Sequence, residues 1–402
     1  MAFCTHRLNL GKAAFEAGFE VAIATRCKKH EDFIRSQGFQ VFPLQQLTRS
    51  GINPFEQVRV LLELYRIYKS YKPDVVHHVA IKPVIFGSLI AWWCNVPKVI
   101  NALGGLGYLF TAVTSNSFSE NDFARERCLS AASLATETKS FSEKLYLKKN
   151  LLRRIVRLVF KFIFSRPNTR LILQNRDDYQ LLEDARCLDP KRVVIIRGSG
   201  VELAAFPVTP FPSEPPIVIA CVSRMLWDKG IGELVEAAKI LKEKKIAATI
   251  LLYGTPDSEN PTSIQEDHIQ SWHDAGIIIW KKHCSDVAKA YADCHIAVLP
   301  SYREGLPKSL LEAASCGRPI VTTNVPGCRE VVIQGENGLL VEAQNSTTLA
   351  ENLIQLCENR VLRERMGKAG RERVEHFFSD KIINEATIKL YEDLSSYSHS
   401  LF

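Results

Sequence analysis

"IVIACVSRMLWDKGIGELVEAAKILKEKKIAATILLYG", residues 217–254, decides the fold. Its opening run, Ile217 to Ser223, is short, apolar and rich in β-branched residues, which reads as a buried strand. From about Ile231 to Lys244 the apolar positions recur at helical spacing, and a second run, Ala248 to Gly254, reads as another strand. A strand, a helix and a strand in that order form a crossover unit with parallel strands. Ligands of open parallel sheets lie beyond the carboxyl ends of the strands. Here that loop is "SRMLWDKG". Arg224 can grip two phosphate oxygens, Lys229 supplies a point charge, and Gly230 lets backbone come close. Taken alone, both cations read equally well as solvated surface charges. The chain has no G-x-x-x-x-G-K-[ST] loop, which disfavours a nucleoside-triphosphate hydrolase.

The alternation continues on both sides. Strands are expected at 277–280, 295–300, 319–323 and 338–341 downstream, and at 20–25, 74–79, 98–103, 170–175 and 192–198 upstream. The fold class is α/β, with two Rossmann-like domains facing each other across a cleft. They are separated by "FPVTPFPSEPP" (206–216), whose five prolines exclude regular structure. The expected organisation is a first domain at 1–205, a linker at 206–216 and a second domain at 217–380. The remainder, 381–402, is helical with no strand after it and can pack back on the first domain. Residues 113–142, rich in Ser, Thr and Ala, read as a polar insertion. No repeat of solenoid length is visible.

The stretch "YREGLPKSLLEAASCGRP" (302–319) follows the strand expected at 295–300. Pro307 suits the first position of a helix, where its missing N–H costs nothing. The N–H groups near Gly305 and Leu306 then form an anion site at the helix start. Glu304 stands before this helix and Glu312 one to two turns along it. An ionised carboxylate accepts hydrogen bonds from neighbouring hydroxyls, so the pair suits a ligand with two diols separated by a diphosphate. From spacing alone, two surface acids explain the pair equally well.

Composition bounds the class. The 402 residues are 46% hydrophobic and 24% charged, as in soluble globular chains of two domains. The eleven cysteines contain no Cys-x-x-Cys, which suggests neither a disulfide framework nor a zinc cluster and fits a reducing cytosol. The most apolar run, Val84 to Cys94, is shorter than the ~20 residues that span a bilayer. No signal peptide is read. Residues 1–200 hold 30 Lys+Arg against 17 Asp+Glu, whereas 201–402 hold 21 against 27. The front half therefore expects an anionic partner. In 147–166, Arg153, Arg154, Arg157 and Lys161 recur at helical spacing among Leu152, Ile155, Val156, Val159 and Ile163. That pattern suits a helix lying on an anionic membrane surface; a core helix with a basic edge fits it equally. No recognition motif accompanies the charge, so nucleic acid is not an expected partner.

"VSRMLWDKG", "LPSYREGLPKSLLEAASCGRPIVTTNVPGCREVV" and "GENGLLV" together resemble the nucleotide-binding half of family-4 glycosyltransferases, the retaining group with the GT-B fold. The likeness runs from about Ile217 to Val341. "HRLNLGKAAFEAGFEVAIAT", "PDVVHHVAIKP", "GGLGYLF" and "GSGVELAAF" resemble the front half of members that build bacterial surface polysaccharides. The resemblance implies that Arg224 and Lys229 neutralise a donor diphosphate. It further implies that Glu304 holds the transferred sugar, Glu312 the ribose, and the Gly305 and Leu306 amides help with diphosphate and sugar. It implies no cofactor and no bound metal. In the acceptor-binding front half the candidates are His6, Arg7, His78, Lys82 and Gly105, although a strand-end histidine such as His78 is more often a structural residue. Two departures stand out. Gly104 occupies a position where many relatives carry His. Relatives also have a strand before the segment matching "FCTHRLNL", so the central first strand is expected to be missing, with two unpaired edges.

The expected activity is transfer of a sugar from a nucleotide donor, UDP-linked, to a polyprenyl-diphosphate-linked saccharide, at the cytoplasmic face of the inner membrane. A sugar-nucleotide epimerase of the same fold, a hydrolase using Glu304 and Glu312 as acid and base, and a non-catalytic nucleotide-binding module are the competing classes. The hydrolase is disfavoured because its carboxylates must flank the scissile bond, whereas these share one loop and helix.

Overall fold

The computed structural model describes residues 2–27, 30–45, 54–106 and 154–396. The chain separates into two units, residues 1–67 with 196–402 and residues 68–195. The insertion at 113–142 and residues 147–153 lie outside the described residues.

At the start of the first unit, β1 (Ala22–Thr25) pairs in parallel with β2 (Gln40–Pro43) over a small core of Ile34, Phe39 and Val41. The sequence reading places β1 but omits β2, a four-residue run ending in proline. The second unit carries β3 (Val75–Val79), β4 (Lys98–Leu103), β5 (Thr169–Leu173) and β6 (Val193–Ile195), parallel and adjacent in chain order. Among the described residues β1 is bonded along one edge only, to β2, and β3 along one edge only, to β4.

His78 points from β3 into the interior of the second unit and is 6% exposed. Its Nε2 meets the Tyr68 hydroxyl at 2.8 Å and its Nδ1 meets Asn101 Oδ1 at 2.9 Å. Gly87 makes room for the ring, since a Cβ there would sit 2.4 Å from it. Burial lowers the His78 pKa to about 4, so the imidazole stays neutral. Its contacts are those of a core histidine, and it is not displayed as an acceptor ligand.

Residues 154–164 are helical. Val156, Phe160, Ile163 and Phe164 bury into the core of the second unit, while Arg154, Ile155, Arg157, Leu158, Lys161 and Phe162 are exposed. The apolar residues that the sequence groups together thus divide between core and surface.

The rest of the first unit is built on β7 (Ile217–Val222), β8 (Ala248–Tyr253), β9 (Ile279–Trp280), β10 (Ile296–Leu299), β11 (Ile320–Thr323) and β12 (Gly338–Val341). All six are parallel, in the order β12-β11-β10-β7-β8-β9. The first strand of the series is central, and the direction of winding reverses between β7 and β10. A doubly wound sheet opens its ligand crevice at that point. The strands are continuous apolar runs because helices cover both faces.

The proline-rich stretch 206–216 is irregular as expected, and it is fastened to this unit. Buried Arg318 donates to the Thr209 hydroxyl and lies over the Phe211 ring, and Arg363 pairs with Glu214. The helix Asp380–Ser396 packs on the helix Leu8–Glu16 and the turn after it. Asn9 Nδ2 donates to Asp380 at 2.8 Å, and Phe19 meets Tyr391 edge to face at 5.8 Å. These contacts put residues 1–67 in one unit with 196–402.

Candidate active site

The loop after β7 and the loop after β10 meet at the reversal point. Gly230, at φ +68°, begins the helix Ile231–Glu243, and a Cβ there would lie 2.1 Å from the Pro300 carbonyl oxygen. Gly254, after β8, is pressed as closely against Ser223. Only glycine lets these loops approach so far. The backbone N–H of Tyr302 donates to the Asp228 carbonyl at 2.9 Å, and the Tyr302 hydroxyl donates to Glu233 at 2.6 Å. The two loops are thereby locked together.

The lock brings Lys229 onto Glu304. The Lys229 ammonium donates to Glu304 Oε1, and the Ser301 hydroxyl donates to the same oxygen at 2.7 Å. The side chains of Lys229 and Glu304 are 17% and 13% exposed. Both bonds fall on Oε1, so Oε2 is the oxygen left to accept from a ligand. Gly327 packs on this turn, where a Cβ would stand 2.4 Å from the Gly305 carbonyl. Arg224 is half exposed and donates to Asp257 at 2.8 Å.

Gly305, Leu306 and Pro307 lead into the helix Lys308–Ser315. Pro307 is its N-cap, at φ −74° and ψ 112°, rather than its first residue, because that extended ψ does not continue a helix. The Leu306 side chain fills the space over Gly198, whose φ is +71°. Glu312 is 9% exposed, and burial raises its pKa from 4.5 to about 7 against the opposing effect of Lys308. Lys308 Nζ stands 3.9 Å from Glu312 Oε1 and donates to the Thr5 carbonyl at 2.6 Å.

Of the front-half candidates, His6 and Arg7 belong to this same unit. His6 ends the helix Ala2–His6, and burial together with the charges of Lys308 and Arg7 lowers its pKa to about 4. Arg7 lies within electrostatic reach of Tyr391. In the second unit, Lys82 occupies the first turn of the helix Ile81–Trp93, and Gly105, at φ +114°, follows β4. The structure thus joins Lys229 to Glu304, with Arg224 in the same loop as Lys229, Gly305 and Leu306 directly after Glu304, and Glu312 in the helix that follows. Ser301, Asp257 and Lys308 were not singled out by the sequence reading. Ser301 and Lys308 lie within or beside the quoted motif, which is the signal that points to them.

Two family models divide the chain: glycosyl transferases group 1 matches residues 205–373, and glycosyl transferase 4-like matches residues 2–139. The chain belongs to the family-4 type of glycosyltransferases. This glycosyltransferase is 26% identical over 400 residues to the N,N'-diacetylbacillosaminyl-diphospho-undecaprenol alpha-1,3-N-acetylgalactosaminyltransferase of Campylobacter jejuni, with 96% of this chain and 94% of the relative covered. It is 22% identical over 330 residues to the UDP-Gal:alpha-D-GlcNAc-diphosphoundecaprenol alpha-1,3-galactosyltransferase of Escherichia coli, covering 78% and 73%. Among solved structures, the sucrose-phosphate synthase of Thermosynechococcus elongatus superposes with a TM-score of 0.72 at 20% identity, covering 97% and 92%. The fold of this glycosyltransferase is GT-B.

Proposed function

We propose that this glycosyltransferase moves a sugar from a UDP carrier to a saccharide held on a polyprenyl diphosphate, with the anomeric configuration of the donor retained. The observation that carries the reading is the convergence of Lys229, Ser301 and Glu304 at the reversal point, beside the start of the Lys308–Ser315 helix. The names of the two relatives support the acceptor class, and that of the Escherichia coli relative supports a UDP donor.

In this reading Glu304 Oε2 accepts from hydroxyls of the transferred sugar, and Glu312 accepts from the ribose. Arg224, Lys229 and the amides at the helix start meet the charge that grows on the diphosphate, which is electrostatic catalysis by preorganised donors. No bound metal is required. The bond from the anomeric carbon to the phosphate oxygen breaks while the acceptor oxygen bonds to the same face. The acceptor's proton passes to the departing phosphate oxygen. No enzyme carboxylate becomes covalently attached.

The test is incubation of the full chain with UDP-sugars and a polyprenyl-diphosphate saccharide, with the product anomer read by NMR. A retained linkage is expected, and an inverted one overturns the mechanism. An epimerised donor formed without acceptor identifies the epimerase instead. Glycan cleavage without donor identifies a hydrolase, and UDP binding without turnover identifies a binding module.

The reading places the enzyme at the cytoplasmic face of the inner membrane, in contact with anionic lipid through 147–166. No helix among the described residues is long and apolar enough to cross a membrane. At about 100° per residue, the exposed side of the 154–164 helix splits into an apolar strip of Ile155, Leu158 and Phe162 and a basic strip of Arg154, Arg157 and Lys161. Trp92 extends the apolar strip, meeting Phe162 edge to face at 5.5 Å, and Arg166 lies over the Trp92 and Phe162 rings. Leu158 and Trp93 are each 69% exposed. Exposed aromatics flanked by cations suit the headgroup layer. Neutralising Arg154, Arg157 and Lys161 together is expected to weaken binding to phosphatidylglycerol vesicles about a hundredfold, at ~1 kcal/mol per residue. Unchanged sedimentation with vesicles would remove this contact from the reading.

A further inference from the structure

Lys308 is the residue of the site that the reading leaves without a task. It sits in the first turn of the helix that carries Glu312, with its side chain 25% exposed. Its ammonium makes two contacts on opposite partners: the Thr5 carbonyl at 2.6 Å, in the last turn of the Ala2–His6 helix, and the Glu312 carboxylate at 3.9 Å. A cation on the carbonyl end of a helix is electrostatically favoured.

The surroundings of Glu312 give that ammonium its weight. Tyr291 faces the carboxylate from the helix Val287–Ala292, Cys284 from the loop before it, and Cys316 from the end of its own helix. Burial raises all three above their ordinary values, so they are neutral around pH 7. Asp286 acts on Cys284 and Cys316. His6 and Arg7 lie on the far partner of Lys308, and His6 is neutral there. Among the described residues Lys308 is the one group that favours the charged form of Glu312.

We propose that Lys308 is a positioning residue: anchored on the Thr5 carbonyl, its ammonium holds the Glu312 carboxylate charged and in place for the donor, so that the seat of the N-terminal helix is coupled to donor binding. This rests on Glu312 being a donor ligand. Lys308 itself touches no reacting atom, and its effect is on donor affinity more than on turnover.

The experiment is calorimetric UDP binding by the full chain between pH 6 and pH 9 for wild type, Lys308→Met, Lys308→Arg and Glu312→Gln. Wild-type affinity is expected to fall about tenfold from pH 8 to pH 6 as Glu312 takes up a proton. In Lys308→Met this fall moves upward by about one pH unit, leaving affinity about threefold weaker at pH 7.5 and within twofold of wild type at pH 9. Lys308→Arg keeps the wild-type curve, and Glu312→Gln is weak and flat. Hydrogen exchange of residues 2–6 slows on adding UDP to wild type and not to Lys308→Met. A Lys308→Met curve superimposed on wild type, or exchange at 2–6 indifferent to UDP, overturns the inference while a flat Glu312→Gln leaves the donor reading standing. A Glu312→Gln curve identical to wild type overturns the donor reading itself.

Discussion

Replacing Lys229 with alanine is expected to lower kcat about 10³-fold, the upper range for losing one preorganised charge at a leaving group. The same change has a second cost. Glu304 loses its cation in a place where its side chain is 13% exposed, and a carboxylate so enclosed, left with only the Ser301 hydroxyl, destabilises the fold by about 3 kcal/mol. The two effects separate in a double-mutant cycle. Lys229→Ala with Glu304→Gln should recover most of the melting temperature, because a neutral amide needs no cation, and should recover none of the turnover. Lys229→Arg is no conservative change here, since a planar fork cannot reproduce a point contact shared with the Ser301 hydroxyl on Glu304 Oε1. Measured kcat and thermal unfolding for the three variants check this. Turnover within tenfold of wild type in Lys229→Ala would take Lys229 out of leaving-group stabilisation.

Most strands of the fold are legible within one or two residues because a buried parallel strand must be an apolar run, and those runs are bounded by polar loops. Lys98–Leu103 and Gly338–Val341 match to the residue. What the sequence conceals lies in contacts between distant positions. Lys229 and Glu304 are 75 residues apart, and only the adjacency of β7 and β10 makes them a pair. Thr5 and Lys308 are 303 apart, and their contact follows from the docking of the chain's first helices in the same unit as β7–β12. Within single elements the ambiguities are of a different kind. A periodic pattern shows that 154–164 is helical but not which of its apolar residues meet the core: the helix buries Val156 and Ile163 and exposes Ile155 and Leu158. The pattern around His78 gives no sign that Tyr68 and Asn101 enclose it, because that depends on which neighbours reach β3 from outside the strand.

Glu312 is where stability and function oppose each other most clearly. Below pH 4.5 its carboxyl is protonated in both folded and unfolded chains, and it contributes no pH dependence. Between 4.5 and about 7 the unfolded chain has released the proton while the folded chain keeps it. The folded state therefore binds more protons, and stability falls as pH rises through this window, by about 3 kcal/mol in all. Above about 7 the carboxylate is charged in both states and the loss is complete. Glu312→Gln should abolish this slope, leaving the variant as stable as wild type near pH 4.5 and more stable by up to about 3 kcal/mol at pH 8, as read from urea unfolding at the two values. Since urea unfolding near pH 4.5 also reflects other carboxylates, the decisive quantity is the difference between variant and wild type at each pH. An equal slope in both would mean that burial does not govern this carboxyl. The gain in stability comes with weaker donor binding, because an amide oxygen replaces the charged acceptor offered to the ribose, whereas the corresponding Glu304→Gln change should act mainly on turnover. A carboxylate kept at a site where it destabilises the fold near neutral pH is best explained by the ligand that needs it.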